Sequence, residues 1–272
     1  AGKELTVRGK TYKVEEAKAD SFNGVDVALF AGGSISKTFA PIAVKAGAVV
    51  IDNSSTYRMD PEVPLIVPEV NPQDIKKHKG IIANPNCSTI IMVMALKPIY
   101  DLARIKRIIV STYQAASGAG KDGLDELERQ IKEAAAGKEM TAHIFPSASA
   151  AKHFPLALNL VPQIDVFLDN LYTKEEMKMV NETKKIMEDY EMRITATTIR
   201  VPVYRSHSES VNIELEKEVD LGAMREALAK FPGVTVQDDP SKQEYPMPLY
   251  TSEKDDVYVG RLRRDESCEK SY

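Results

Sequence analysis

Residues 25–52 constrain the fold more than any other part of the chain. Val25-Asp-Val-Ala-Leu-Phe30 is a short apolar run of strand type, and Ala31-Gly-Gly-Ser34 follows it as a small-residue turn. Ser36 to Ala46 has helical spacing, with Phe39, Ile42 and Val44 to Ala46 on its apolar side and Gly47 as a stop. Ala48-Val-Val-Ile-Asp52 reads as the next strand. A strand–helix–strand unit closed by a Gly-Gly turn favours a parallel sheet with crossover helices. Leu65 to Val67 and Gly80 to Ala83 are further strand candidates. Residues 1–86 are therefore expected to form part of a doubly wound, Rossmann-like nucleotide-binding domain.

The pattern changes at Cys87. Ser88 to Ala103 reads as a long apolar helix, Arg107 to Gln114 as a strand and Ala115-Ala-Ser-Gly-Ala-Gly120 as a small-residue loop. Leu124, Leu127 and Ile131 predict the inner stripe of a helix ending at Gly137. Thr173-Lys-Glu-Glu176 has capping-box spacing and opens a helix whose inner face is expected at Met177, Val180 and Met187. Strands are expected at Arg193 to Val203 and Ser210 to Leu215, and a helix from Leu221 to Lys230 stopped by Pro232-Gly233. Strands and helices without strict alternation imply an α+β catalytic and dimerisation domain over residues 87–272.

Composition excludes several classes. Of 272 residues, 43% are apolar and 28% charged, with a net charge of −4; this is ordinary globular composition with no basic surface for nucleic acid. No apolar run approaches the roughly 18 residues of a membrane span. No secretory signal pattern opens the sequence. Two cysteines, Cys87 and Cys268, cannot form a disulfide framework, and no cluster has metal-ligand spacing. A cytoplasmic enzyme is expected.

Asn84-Pro-Asn-Cys-Ser-Thr89 carries the most chemical information. Cys87 falls between a strand and a long helix, where free amides and the dipole stabilise a thiolate and could hold an oxyanion. On this segment alone, a small buried core cysteine is an equal reading. His207, in Arg200-Val-Pro-Val-Tyr-Arg-Ser-His-Ser-Glu-Ser210, could exchange the thiol proton. Three other histidines, His78, His143 and His153, read as surface or structural. Arg200 is suited to clamp a carboxylate at two points, although a lone arginine is more often a surface ion pair.

These segments, with Val110-Ser-Thr-Tyr-Gln-Ala-Ala-Ser-Gly-Ala-Gly120, Pro162-Gln-Ile-Asp165 and Glu175-Glu-Met-Lys178 followed by Glu182-Thr-Lys-Lys-Ile186, resemble the aspartate-semialdehyde dehydrogenases in identity, order and spacing up to about Asp265. The resemblance implies NADPH-dependent reductive dephosphorylation of L-aspartyl 4-phosphate to aspartate 4-semialdehyde. That step serves synthesis of lysine and diaminopimelate, threonine and methionine. Cys87 matches the acyl-thioester nucleophile, His207 the acid–base histidine and Gln114 the glutamine that holds substrate. Arg200 matches the residue binding the substrate carboxylate, and Glu175 a further substrate-binding carboxylate. Arg58, Lys178 and Asn86 match the phosphate site. Ala31, Gly32 and Gly33, with Ser117 and Gly118, match loops against the NADP cofactor. A homodimer or homotetramer is implied. Glu175 and Lys178 also have a plainer reading as a helical i,i+3 ion pair.

The sequence departs from the family at both ends. About forty residues of the family's pattern, including the Gly-rich turn that cradles the pyrophosphate, are expected before Ala1-Gly-Lys. A further strand and helix are expected after Tyr272. The 272-residue chain is accordingly expected to bind NADP weakly or not at all, and measurable NADPH-dependent turnover would refute this. Two other readings stand beside the first: an N-acetyl-gamma-glutamyl-phosphate reductase, and a non-catalytic dimerisation module. The spacing from Arg200 to His207 and the Glu175-x-x-Lys178 helix favour the aspartyl enzyme over the former. The presence of Cys87, Gln114, Arg200 and His207 together argues against the latter.

Overall fold

The computed structural model describes residues 1–272 as two compact units, 1–66 with 73–84, and 67–72 with 85–272. Residues 67–72 leave the expected 86/87 boundary because Val67, Val70 and Asn71 are buried and Glu69 lies beside Gly233, all within the second unit.

The first unit opens with an antiparallel hairpin of β1 (Glu4–Val7) and β2 (Lys10–Lys13). Then come β3 (Val27–Phe30), α1 (Ser36–Lys45), β4 (Val49–Asp52) and β5 (Ile81–Ala83), with the three strands parallel in the order β3-β4-β5. Ala40 and Ala43 on the inner face of α1 pack with Val50 and Phe22. This is the predicted crossover unit. Gly47, with φ of 102°, takes the left-handed turn that stops α1. Leu65 makes only a single parallel bridge to Ala83 instead of a strand. Pro64 and Pro68 bracket that run, and a proline has no amide to donate to a ladder.

The second unit begins with α2 (Cys87–Leu102) and the long β6 (Ile105–Gln114), followed by α3 (Gly120–Ala135) and α4 (Lys174–Ile186). β7 (Arg193–Arg200), β8 (Ser208–Leu215), α5 (Leu221–Lys230), β9 (Val234–Val236), α6 (Pro248–Thr251) and β10 (Val257–Val259) complete it. β6 is central, parallel to β7 and antiparallel to β8. A register shift between Ile105 and Arg107 lets both Ile105 and Ile108 face inward despite their odd spacing. From there Val110, Thr112 and Gln114 alternate inward beside Ala196, Thr198 and Arg200 of β7. The Gln114–Arg200 pair ends this buried row and supplies two side chains to the site.

Two inner faces differ from expectation. Ile131 of α3 is 40% exposed, whereas Gly123, Glu126, Leu127 and Gln130 are buried. Glu126 accepts the amides of His143 and Ile144, and Gln130 accepts those of Leu156 and Ala157 while donating to the Thr141 carbonyl. The helix thus turns polar groups inward to satisfy the backbone of residues 141–157. On α4 the buried apolar residues are Met179, Val180 and Ile186, while Met177 and Met187 are half-buried. β7 stops at Arg200, ahead of Val201-Pro202. No helix is long and apolar enough to cross a membrane. The mixed α/β class is the one expected.

Candidate active site

α2 starts at Cys87, and its cap organises the site. Asn86 Oδ1 accepts the Ser88 and Thr89 amides at 3.0 and 3.2 Å. Asn86 Nδ2 donates to Glu175 Oε1 at 2.8 Å, and the Asn86 backbone amide donates to Glu182 Oε2 at 2.6 Å. This corrects two expectations. The Ser88 and Thr89 amides already have an acceptor, so they do not stand free for an oxyanion. Asn86 keeps only one amide hydrogen for phosphate and acts first as the cap that seats Cys87.

Cys87 opens to solvent, yet protein crowds its sulfur on most sides. Burial and then the Glu175 carboxylate push its thiol above the ordinary range, against the Ser88 amide and Arg200, which pull it down. That net direction is opposite to the thiolate stabilisation expected at a helix N-terminus.

Glu175 is the hub on α4, whose start is fixed by the predicted capping box: Thr173 Oγ1 accepts the Glu176 amide and Glu176 accepts that of Thr173. Glu175 Oε1 accepts from Asn86 and, at 3.3 Å, from Gln114 Nε2; Oε2 accepts from Lys178 at 3.0 Å. Burial raises its pKa, but Lys178, Asn86 and Gln114 outweigh this and hold it below the usual carboxylate range. The i,i+3 pair of Glu175 and Lys178 is thus formed. Lys178 Nζ also reaches Asp165 at 3.2 Å.

Arg200 is 4% exposed and has no carboxylate within ion-pair distance. Nη1 donates to the Ala115 carbonyl at 2.8 Å, the guanidinium lies 5.8 Å from the Phe145 ring centroid, and Nε is buried with no partner. Burial lowers its pKa, with Glu175 and Cys87 acting in the other direction. A buried guanidinium so poorly paired is chemically suited to an anion.

His207 Nδ1 accepts the Ala115 amide at 3.0 Å, so one residue, Ala115, braces Arg200 through its carbonyl and His207 through its amide. Burial and the neighbouring Arg200 bring the imidazole down to about 4, against the opposing pull of Glu175. No hydrogen bond joins Cys87 to the ring. Gly118 packs against both partners: a Cβ there would sit 2.7 Å from Arg200 Nη1 and 3.1 Å from His207 Nε2. Gly118, expected against the cofactor, thus bears directly on the substrate-side groups. Ser117 precedes it, its amide donating to the Tyr204 carbonyl.

The remaining predicted residues belong to the first unit. Arg58 is buried and donates to the Asn53 carbonyl at 2.9 Å. Ala31, Gly32 and Gly33 join β3 to α1; Gly33 has φ of 62° with open space where a Cβ would be. A short 3-10 turn over Gly33–Ile35 runs into α1, so the Ile35 amide donates to the Gly32 carbonyl and the Ser36 amide to those of Gly33 and Ser34. The residue before the helix is Ile35, whose side chain cannot cap it, and the Ser36 hydroxyl donates to Asp52. Phe145 and the Ala115 peptide escape sequence reading. One acts as an apolar floor and the other through backbone atoms, and neither leaves a residue-type signature.

The comparisons with known proteins agree. Residues 1–78 match the semialdehyde dehydrogenase NAD binding domain and 96–271 the semialdehyde dehydrogenase dimerisation domain. Aspartate-semialdehyde dehydrogenases of Aquifex aeolicus and Bacillus subtilis are 55% and 51% identical, each over 97% of this chain and 77% of the relative. The crystal structure of aspartate semialdehyde dehydrogenase II from Vibrio cholerae superposes with a TM-score of 0.92 at 42% identity, over 99% of this chain and 79% of that one. A second structure of that protein is complexed with ASA. The chain belongs to the aspartate-semialdehyde dehydrogenase family of oxidoreductases.

Proposed function

We propose that the chain carries the acylating chemistry of an NADP-dependent aspartate-semialdehyde dehydrogenase, with residues 1–86 serving the nucleotide and 87–272 catalysis and subunit pairing. The observation that carries this reading is Arg200, a buried guanidinium without a carboxylate of its own, within electrostatic range of Cys87 and Glu175. A substrate bearing a carboxylate supplies the missing anion, and its ammonium matches the ionised Glu175. An N-acetylated substrate offers no ammonium and fits Glu175 less well.

Cys87 sulfur attacks the C4 carbonyl of aspartyl 4-phosphate, the sulfur–carbon bond forms and the bond to the phosphate oxygen breaks. Gln114 and Glu175 orient the substrate, and His207 faces its reacting carbonyl through the free Nε2. Lys178, with the remaining amide hydrogen of Asn86, receives the departing phosphate. Ala31, Gly32 and Gly33 serve the cofactor, whose contribution when bound is a hydride. The working form is a cytoplasmic homodimer or homotetramer.

Incubation with L-aspartyl 4-phosphate, without cofactor, should add one aspartyl group to the intact mass and release phosphate. Peptide mapping should place the group on Cys87, and Cys87→Ala should abolish both signals. Adduct at Cys268, or phosphate release surviving Cys87→Ala, would sink the reading.

A further inference from the structure

The chain reaches His207 by a sharp reversal. β7 lies parallel to β6 on one side and β8 antiparallel on the other, so residues 201–207 cross the end of β6. The first part of that crossing is stitched to the loop after β6. The Val201 amide donates to the Gln114 carbonyl at 3.0 Å, and the Ala116 and Ser117 amides donate to the Val203 and Tyr204 carbonyls at 2.8 and 3.0 Å. Tyr204 and Arg205 are exposed and offer little packing. The reversal into β8 falls on Ser206, which takes a left-handed φ of 72°. Glycine adopts that conformation freely, whereas a side chain makes it costly. Serine at this position needs a restraint, and the structure supplies one. Ser206 Oγ lies 3.1 Å from Thr251 Oγ1, and Thr251 Oγ1 donates to the Met247 carbonyl at 3.2 Å. A hydroxyl has one hydrogen, so Thr251 gives its own to Met247 and accepts that of Ser206. The bonds run one way, from the turn through the last residue of α6 to the carbonyl just before that helix.

We propose that Ser206 and Thr251 are positioning residues for the reaction, a hydroxyl clamp that sets the backbone from which His207 reaches the acylation site. The proposal rests on the acyl-phosphate reading above, with His207 as the acid–base group of Cys87. The ring itself is held by one bond, from the Ala115 amide to Nδ1 at 3.0 Å. That bond fixes one edge of the imidazole but not the Cα that carries it. The Cα follows the φ of Ser206, the residue immediately before it. Both hydroxyls are engaged by the clamp, so their effect on the reaction passes through His207.

Single-turnover phosphate release by the 272-residue chain with L-aspartyl 4-phosphate, without cofactor, tests the role. Thr251→Val keeps the branched shape and removes the clamp. It should slow acylation about tenfold, with the half-saturating concentration changed by less than about twofold. Thr251→Ser restores the hydroxyl and should return the rate to within about twofold of the parent. Ser206→Gly relaxes the backbone and removes the same bond. It should be as slow as Thr251→Val while urea unfolding shows it folded, which separates misplacement from loss of fold. Combining Ser206→Gly with Thr251→Val should slow acylation no further than Ser206→Gly alone, because both remove one bond. In amide NMR of the substrate-free chain, the Ala115 signal reports its bond to His207; it should move in Thr251→Val and return in Thr251→Ser. Thr251→Val at the parent rate, a slowing that Thr251→Ser does not reverse, additive losses in the double variant or an unmoved Ala115 signal would each overturn the proposal. Failure of the parent to form a Cys87 thioester instead refutes the acyl-phosphate reading, and the Ala115 signal then still decides whether the clamp sets His207.

Discussion

His207 holds its proton chemistry at the expense of acid stability. In the unfolded chain its imidazole takes a proton near pH 6.5, whereas in the fold it resists until about 4. Between those values the unfolded state binds a proton that the native state refuses, so stability falls as pH drops through that window, by up to roughly 3 kcal/mol. Glu175 acts lower. Its depressed pKa contributes stability above the unfolded carboxylate value, and this is lost only as pH falls through the folded one. Urea unfolding of the second unit at pH 7, 5.5 and 4 should show the decline, and His207→Gln should flatten it above pH 4.5. Arg200 gives a second expectation at this scale. Lysine keeps the charge but cannot offer a planar fork from above Phe145, so Arg200→Lys should raise the L-aspartyl 4-phosphate concentration for half-maximal acylation at least about tenfold and change the limiting rate less. Cofactor-free, single-turnover phosphate release over a range of substrate concentrations checks the split.

α3 shows how a helix can hide polar work on its inner face. Gln130 is fully buried and answers three backbone groups: the Leu156 and Ala157 amides and the Thr141 carbonyl. Gln130→Leu keeps the volume and strands all three, which should cost about 3 kcal/mol or more at the ordinary penalty for an unsatisfied buried group. Chemical denaturation measures it, and proteolysis within residues 141–157 should quicken. Such a face was not legible in the sequence. An apolar stripe through Leu124, Leu127 and Ile131 is the natural helical pattern, yet the structure exposes Ile131 and buries Glu126 and Gln130, because the partners they satisfy lie on a distant loop. By contrast, the start of α4 was legible to the residue, since the Thr173–Glu176 box closes within four positions. The β3–α1–β4 crossover was legible for the same local reason, with Gly47 as its stop. Leu65 to Val67 was not, because flanking prolines let one bridge form but not a ladder. At the site, the family resemblance brought forward Cys87, Arg200, Glu175 and His207, which residue type alone left open, but not the Ala115 peptide that braces Arg200 and His207. Backbone atoms carry no sequence signal, and their direction emerges only once β6 and β7 are in register.

The polar keystones of the two units are each internal to their own unit. In the first, Asp52 is completely buried at the end of β4, accepting the Ser36 hydroxyl at 2.8 Å and, from Ser54, the amide at 3.1 Å and the hydroxyl at 2.7 Å. It thereby ties the start of α1 to the turn leading into Arg58. In the second, the Asn86–Glu175–Gln114 chain and the Ala115 brace between Arg200 and His207 hold the acylating groups. Disruption of the first keystone should therefore loosen the nucleotide side while sparing the reactive thiol. Asp52→Ala strips the buried Ser36 hydroxyl and Ser54 amide of their acceptor, while the Ser54 hydroxyl keeps Thr56, a loss of about 2–4 kcal/mol. Hydrogen exchange should accelerate through residues 27–58, where β3, α1 and β4 depend on that carboxylate, and remain within twofold in β6, β7 and β8. Cys87 alkylation by iodoacetate, whose carboxylate can pair with Arg200, should likewise change less than twofold and remain faster than that of Cys268. Equal acceleration in β6 to β8, or a slowed Cys87, would mean that the acylating groups depend on the first unit for their arrangement. The bonds of Glu175 to Asn86, Gln114 and Lys178, all drawn within the second unit, argue instead for a spared thiol.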